Sequence, residues 1–195
     1  MSEPLDQPAR VIAIGASAGA VDALAAILPA LPAQFPYPIL VVVHIREDRD
    51  SMLVELFRRQ CALDIREAED KLPLEDGVVY FAPPDYHLLV EADGWLALSV
   101  DEPVNFSRPS IDVLFESAAQ AFGDRLVGVV LTGANQDGAH GLRSIIDAGG
   151  RAIVQDPSSA YAATMPQAAI AACPEAQPMS LEQIATYLRD LGSSK

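Results

Sequence analysis

Residues 11–20 read VIAIGASAGA, and they carry the strongest functional signal in the chain. An apolar run rich in β-branched residues ends in Gly15-Ala16-Ser17-Ala18-Gly19, and an alanine-rich segment of helical character follows. A Gly-x-Ser-x-Gly turn between a strand and a helix is typical of a serine nucleophile. The start of the helix directs free N–H groups at any oxyanion formed there. The stretch therefore predicts a nucleophilic Ser17, provided that a base and an acid lie nearby.

The composition excludes several classes of partner. The chain has 195 residues and a formal net charge of −14. Basic residues cluster only at Arg58-Arg59, so we expect no nucleic-acid binding, which needs grouped cations to neutralise phosphate. The apolar segment 11–33 is interrupted by Asp22, Pro29 and Pro32, so we expect no membrane insertion.

The cysteines and histidines give no sign of a metal site. Cys61 and Cys173 are far apart in sequence, which fits two reduced thiols in a cytoplasmic protein. No Cys/His pair stands at metal-ligand spacing, so we expect no metal ion.

Apolar runs alternate with segments of helical periodicity along most of the chain. This alternation predicts an α/β fold with a mainly parallel sheet flanked by helices. The turn Glu91-Ala92-Asp93-Gly94 predicts an antiparallel hairpin near residues 87–100. We expect an N-terminal tail at 1–10, one catalytic domain at 11–191 and a C-terminal tail at 192–195.

Three predicted strand ends carry complementary side chains. Ser17 follows the first strand, His44 ends the run Ile39–Val43, and Asp137 lies in the loop after Leu131. Because functional sites gather at the carboxyl ends of parallel strands, we expect these groups to meet. They would then form a nucleophile, a base and an orienting acid.

Each of these residues also has a purely structural interpretation. Ser17 or Asp137 would serve as a helix N-cap. His44 would be a hydrogen-bonded core residue, and we favour a structural or rim role for His87. The coincidence of three complementary groups at three strand ends favours the catalytic interpretation.

Two other site types fit less well. A dinucleotide fingerprint needs a second glycine where Ser17 stands, and an acidic residue roughly twenty residues further on. An α/β-hydrolase has the chain order serine, acid, histidine, which would require His140 as the base.

Several blocks in a fixed order resemble the catalytic domain of the CheB-type chemotaxis protein-glutamate methylesterases, from about Val11 to Leu191. The blocks are Gly15-Ala16-Ser17, Val41-Val42-Val43-His44, Tyr80-Phe81-Ala82-Pro83 with His87, Arg108-Pro109-Ser110-Ile111-Asp112, Gly128-Val129-Val130-Leu131-Thr132-Gly133, Asp137-Gly138-Ala139 and Gln155-Asp156-Pro157 with Met165-Pro166.

The resemblance implies a doubly wound fold and an enzyme that uses no cofactor. It also implies hydrolysis of glutamate methyl esters on chemoreceptor helices, and many members of the family deamidate glutamine there as well. The family's catalytic residues fall on Ser17, His44 and Asp137. The expected oxyanion donors are the N–H of Ala18 and one N–H from Gly133-Ala134. The family's usual Thr-Gly-Gly after the serine and Gly-Met-Gly before the aspartate are replaced by Ala18-Gly19-Ala20 and Gly133-Ala134-Asn135.

The usual family member carries an N-terminal receiver domain, whereas only about ten residues precede the first predicted strand here. We therefore expect a stand-alone esterase, controlled either by a partner in trans or through its expression. Arg46 and Arg108 are candidates for steering an acidic helical substrate, although Arg108 would alternatively position the helix that follows it. A serine esterase with another acyl substrate and a non-catalytic binding module remain alternatives.

Overall fold

The computed structural model describes residues 9–44 and 51–193. A seven-stranded sheet runs through the chain in the order β3-β4-β2-β1-β7-β8-β9, and all of its neighbouring strands are parallel. Its strands are β1 (Val11–Ala16), β2 (Ile39–Val43), β3 (Asp64–Glu67), β4 (Val78–Phe81), β7 (Leu126–Val130), β8 (Arg151–Gln155) and β9 (Gln177–Met179). The strands β5 (His87–Val90) and β6 (Leu96–Ser99) form a separate antiparallel pair. The predicted fold class and hairpin are confirmed.

Helices cover both faces of the sheet. They are α1 (Ala20–Ile27), α2 (Ser51–Arg58), α3 (Ile111–Phe122), α4 (Ala139–Asp147), α5 (Thr164–Ala172) and α6 (Leu181–Ser193). One apolar cluster packs α1 and α6 against one face, and a second packs α3, α4 and α5 against the other. Because both faces are covered, β1, β2 and β7 are buried along their whole length.

Three elements were missed by the sequence interpretation. The edge strand β3 is rich in charge and has only one buried residue, Ile65. The three-residue edge strand β9 contains Pro178, which a strand tolerates only at an edge. Helix α5 has Pro166 in its first turn, where a proline costs no helical hydrogen bond. Helix α6 continues to Ser193, so residues 192 and 193 are helical and do not belong to the predicted tail.

Within residues 9–44 and 51–193, no helix combines the length and the apolar character that spanning a membrane requires.

Candidate active site

The sheet brings the three predicted strand ends side by side. In the parallel register Ala16 faces Val43 on one side, and Gly15 faces Val130 on the other. The pairing continues past the strands, because the N–H of His44 donates to the Ala16 carbonyl at 3.1 Å. On the other side, the N–H of Ser17 donates to the Thr132 carbonyl at 2.9 Å. Ser17 therefore lies between the loops that carry His44 and Asp137.

The Ser17 hydroxyl does not cap a helix. Helix α1 is capped by Gly19, which has a φ of 83° and makes no side-chain capping bond. A side chain at Gly19 would be strained, and its Cβ would stand 2.7 Å from Cβ of Tyr161. Among the described residues, no hydrogen bond joins Ser17 to His44 in this conformation. Ser17 is half-buried, which leaves its hydroxyl open to a substrate.

His44 binds Asp137 directly. Its Nε2 lies 2.8 Å from Oδ2 of Asp137, and the His44 side chain is 12% exposed whereas the carboxylate is fully buried. The other ring nitrogen, Nδ1, lies 3.3 Å from Nδ2 of Asn135. Since Asp137 occupies Nε2, Nδ1 is the ring nitrogen available as an acceptor on the other side of the imidazole.

The Asp137 carboxylate is the best-satisfied polar group of the site. Besides His44, it accepts hydrogen bonds from the Asn105 amide (2.8 Å), the Ser110 hydroxyl (2.8 Å) and the backbone N–H groups of Ile111 (2.6 Å) and Asp112 (3.2 Å). Burial acts to raise the pKa of Asp137, but the hydrogen bonds from His44, Asn105 and Ile111 outweigh it and hold that pKa below its ordinary value. Asp137 is therefore anionic at neutral pH, and the N-cap position of α4 is occupied by Gly138, which makes no side-chain capping bond.

A second buried carboxylate, Asp112, supports this arrangement. It accepts from the backbone N–H groups of Gly138 (3.0 Å) and Gly141 (2.6 Å), and the Asn105 amide joins it to Asp137 at 2.8 Å. Burial raises the pKa of Asp112, the bond from Gly141 partly offsets this, and the negative charge of Asp137 raises the pKa further. Asp112 fixes the start of α4 and hence the loop that carries Asp137.

The predicted oxyanion donors differ in availability. The N–H of Gly133 donates to the Ala162 carbonyl at 3.0 Å, so the structure removes Gly133 as a free donor. Within the described part of the chain, neither the N–H of Ala18 nor that of Ala134 has an acceptor. These two groups remain the candidates for stabilising a developing oxyanion.

The two predicted substrate-steering arginines are not equivalent. Arg46 lies outside the described residues. The Arg108 guanidinium donates to the carbonyls of Val100 (3.0 Å) and Asp101 (3.2 Å) and to Oδ1 of Asp85 (3.2 Å). Arg108 thus joins the loops that precede α3, which fits its alternative structural interpretation, and its contact with substrate stays a prediction.

The remaining histidines have structural partners. His87 is buried, accepts from the Ser110 N–H at Nδ1 (3.1 Å), and bonds the Glu102 carbonyl through Nε2 (3.1 Å). His140 is exposed and bonds Oε1 of Glu116 at 2.8 Å. An α/β-hydrolase order with His140 as the base is therefore wrong.

A groove of about 460 Å³ opens in front of Ser17 and His44. Its apolar wall comprises Ala20, Val21, Val43, Met52, Leu53 and Leu56. The groove gives a substrate chain access to Ser17 from solvent.

Comparison with known proteins identifies the family to which the chain belongs. The family model described as CheB methylesterase matches residues 12–188. The chain belongs to the CheB methylesterase family. The crystal structure of the Thermotoga maritima CheB methylesterase catalytic domain superposes with a TM-score of 0.86 at 30% sequence identity, covering 93% of this chain and 98% of that one.

Two curated relatives differ in how much of their own length this chain matches. A Leptospira interrogans protein whose name assigns it to the protein-glutamate methylesterase/protein-glutamine glutaminases is 51% identical over 176 residues, covering 90% of this chain and 91% of its own length. The protein-glutamate methylesterase FrzG of Myxococcus xanthus is 40% identical over 163 residues, which cover 84% of this chain and 49% of FrzG.

Five residues of this CheB-family site escaped the sequence interpretation as functional residues: Asn105, Ser110, Asp112, Thr132 and Asn135. The Thr132 hydroxyl donates to the Ala18 carbonyl (2.8 Å) and accepts from the Ala162 N–H (2.9 Å), which ties the turn that carries Ser17 to the loop before α5. Ser110 and Asn135 lie in or beside motif blocks, but their contacts depend on tertiary structure. Asn105 precedes the block that begins at Arg108, and no sequence motif marks it as a functional residue.

Proposed function

We propose that this chain is a serine hydrolase that removes methyl groups from glutamate side chains of chemoreceptor helices, with Ser17, His44 and Asp137 as its catalytic residues. The observation that carries the proposal is the 2.8 Å contact of His44 with a buried, anionic Asp137 beside Ser17. Membership of the CheB methylesterase family and the names of the relatives support the substrate class.

The reaction is acyl transfer in two halves. Ser17 Oγ attacks the ester carbonyl while its proton passes to Nδ1 of His44, and the carbonyl oxygen becomes an oxyanion facing Ala18 and Ala134. The tetrahedral intermediate collapses, the ester C–O bond breaks, and His44 returns the proton to the departing methoxide as methanol. Water then attacks the acyl enzyme, with His44 taking its proton and giving it back to Ser17, which frees the glutamate carboxyl.

Asp137 stabilises the imidazolium formed in each half. Its charge is available at neutral pH because four further donors hold it as the anion. Asp137 stays ionised throughout and takes no proton from His44.

Glutamine deamidation is a second activity of the same site. The Leptospira relative carries glutaminase as well as methylesterase in its name. The acyl enzyme is identical in both reactions, and only the leaving group changes from methanol to ammonia. Release of ammonia from a receptor with glutamine at its methylation sites tests this activity.

We propose that the enzyme acts in the cytoplasm and that a separate protein controls access to its groove. Two free cysteines, the buried Cys173 and the half-buried Cys61, fit a reducing compartment. Arg46 remains a candidate for steering the receptor. Unchanged receptor affinity in an Arg46→Glu variant would remove that role.

Methanol release from a methylated chemoreceptor tests the function. We expect release by the native protein and loss in Ser17→Ala, with the exposed Ser193→Ala as the matched control. Release of methanol from small esters, but none from the receptor, would instead support an esterase with another acyl substrate. No release from either substrate would support a binding module.

A further inference from the structure

Asn135 faces the ring nitrogen of His44 that the reaction uses. Its Nδ2 lies 3.3 Å from Nδ1 of His44, and its Oδ1 accepts from the Asp137 N–H at 3.1 Å. The second bond orients the amide, because only the oxygen can accept from a backbone N–H. The NH₂ group therefore points at His44, and Nδ1 of the ring has to be the acceptor.

The other side of the ring requires the same proton arrangement. Asp137 is an ionised carboxylate that can only accept, so Nε2 of His44 donates to it. A neutral imidazole carries one proton, and with that proton on Nε2 the lone pair is on Nδ1. Asn135 and Asp137, two residues apart in one loop, thus select one tautomer from opposite sides of the ring.

We propose that Asn135 is a positioning residue that holds His44 in the tautomer with a bare Nδ1, ready to accept the Ser17 proton. This inference rests on the proposed function, in which His44 is the base. In the first step the Ser17 hydroxyl replaces the Asn135 amide as the donor to Nδ1. The N–H that then forms on Nδ1 faces another donor in Asn135, which favours passing the proton on to the departing methoxide.

The loop hydrogen bond and the contact with His44 can be separated by substitution. Asn135→Asp keeps an oxygen that accepts from the Asp137 N–H, but it replaces the donor facing Nδ1 with a charged acceptor. Gln136→Glu makes the same amide-to-acid change one residue along, at an exposed position, and is the matched control. A general effect of added charge would alter both variants equally.

The test combines two measurements on the full chain. Nitrogen-15 NMR of labelled histidine reports the protonation of each His44 nitrogen without substrate, and hydrolysis of a small methyl ester reports kcat. We expect a bare Nδ1 in the native protein and in Gln136→Glu, a proton on Nδ1 in Asn135→Asp, and a loss of kcat of at least about tenfold in Asn135→Asp alone.

The proposal is overturned if Asn135→Asp leaves Nδ1 bare, or if its kcat matches that of Gln136→Glu. A folded native protein whose His44 carries its proton on Nδ1 also overturns it. Because the NMR measurement needs no turnover, a failure of the proposed function appears separately, as a bare Nδ1 in a protein without esterase activity.

Discussion

His44 and Asp137, 93 positions apart in sequence, meet through one 2.8 Å contact between Nε2 and Oδ2. The contact exists because β2 and β7 lie on either side of β1 and end at the same edge of the sheet. It joins the candidate base to a carboxylate that water cannot reach. The predictions below follow from that contact and from the groups around it.

Loss of the imidazole is expected to abolish hydrolysis. His44→Ala removes the group that transfers protons in both halves of the reaction, so kcat for a small methyl ester should fall by about 10⁴-fold or more. His140→Ala removes an exposed histidine that contacts Glu116 and should retain native kcat. Equal activity of the two variants would contradict the role of His44.

Replacing the buried carboxylate by an amide is expected to damage both catalysis and stability. Asp137→Asn cannot accept all five hydrogen bonds and cannot stabilise an imidazolium, so kcat should fall by about 10⁴-fold. The unfolding free energy in urea should fall by at least about 1–3 kcal/mol. The exposed Asp147→Asn is the control, and native kcat in Asp137→Asn would exclude the proposed role.

The same carboxylate predicts a dependence of stability on pH. In the folded protein, the hydrogen bonds from His44, Asn105 and Ile111 hold the pKa of Asp137 below the ordinary value for an aspartate, 3.8. Its ionised form therefore stabilises the fold above about pH 3.8, and this contribution is lost as the pH falls through the lowered pKa. The difference in unfolding free energy between native protein and Asp137→Asn should shrink as acid is added. A difference that is constant with pH would contradict this linkage.

The Thr132 hydroxyl is expected to hold the turn that carries Ser17 in place. Thr132→Val keeps the side-chain shape but loses the bonds to the Ala18 carbonyl and the Ala162 N–H. We expect a loss of about 1–3 kcal/mol in unfolding free energy and a lower kcat. Thr186→Val, at an exposed position on α6, should change neither quantity. Native values in Thr132→Val would show that other contacts hold the turn.

Two exposed aromatic side chains beside the site are expected to contact the protein substrate. Phe106 is fully exposed and follows Asn105, which bonds Asp137, and Tyr161 lies against Gly19. Aromatic side chains are enriched where proteins contact one another, so exposed ones beside the site suit contact with a protein substrate. Phe106→Ala and Tyr161→Ala should raise KM for methylated receptor and leave the kinetics on a small ester unchanged. Equal effects on both substrates would indicate damage to the site itself.

The sheet, and the meeting of Ser17, His44 and Asp137 at one of its edges, could be predicted because both follow from local pattern. Continuous apolar runs such as Ile39–Val43 indicate buried parallel strands, and the carboxyl ends of such strands meet at one edge. The hydrogen bonds that hold the Asp137 carboxylate could not be predicted, because Asn105 and Ser110 reach Asp137 only through tertiary contacts. Similarly, the Gly133 N–H is occupied by the Ala162 carbonyl of a distant loop.

Active-site labelling tests the central claim, that Ser17 is the nucleophile, most directly. A fluorophosphonate forms a stable bond to an activated serine oxygen, and peptide mapping by mass spectrometry locates the adduct. The account predicts one adduct, on Ser17, that is lost in Ser17→Ala and strongly reduced in His44→Ala. An adduct on a different serine, or methanol release by a protein whose Ser17 stays unlabelled, would contradict it.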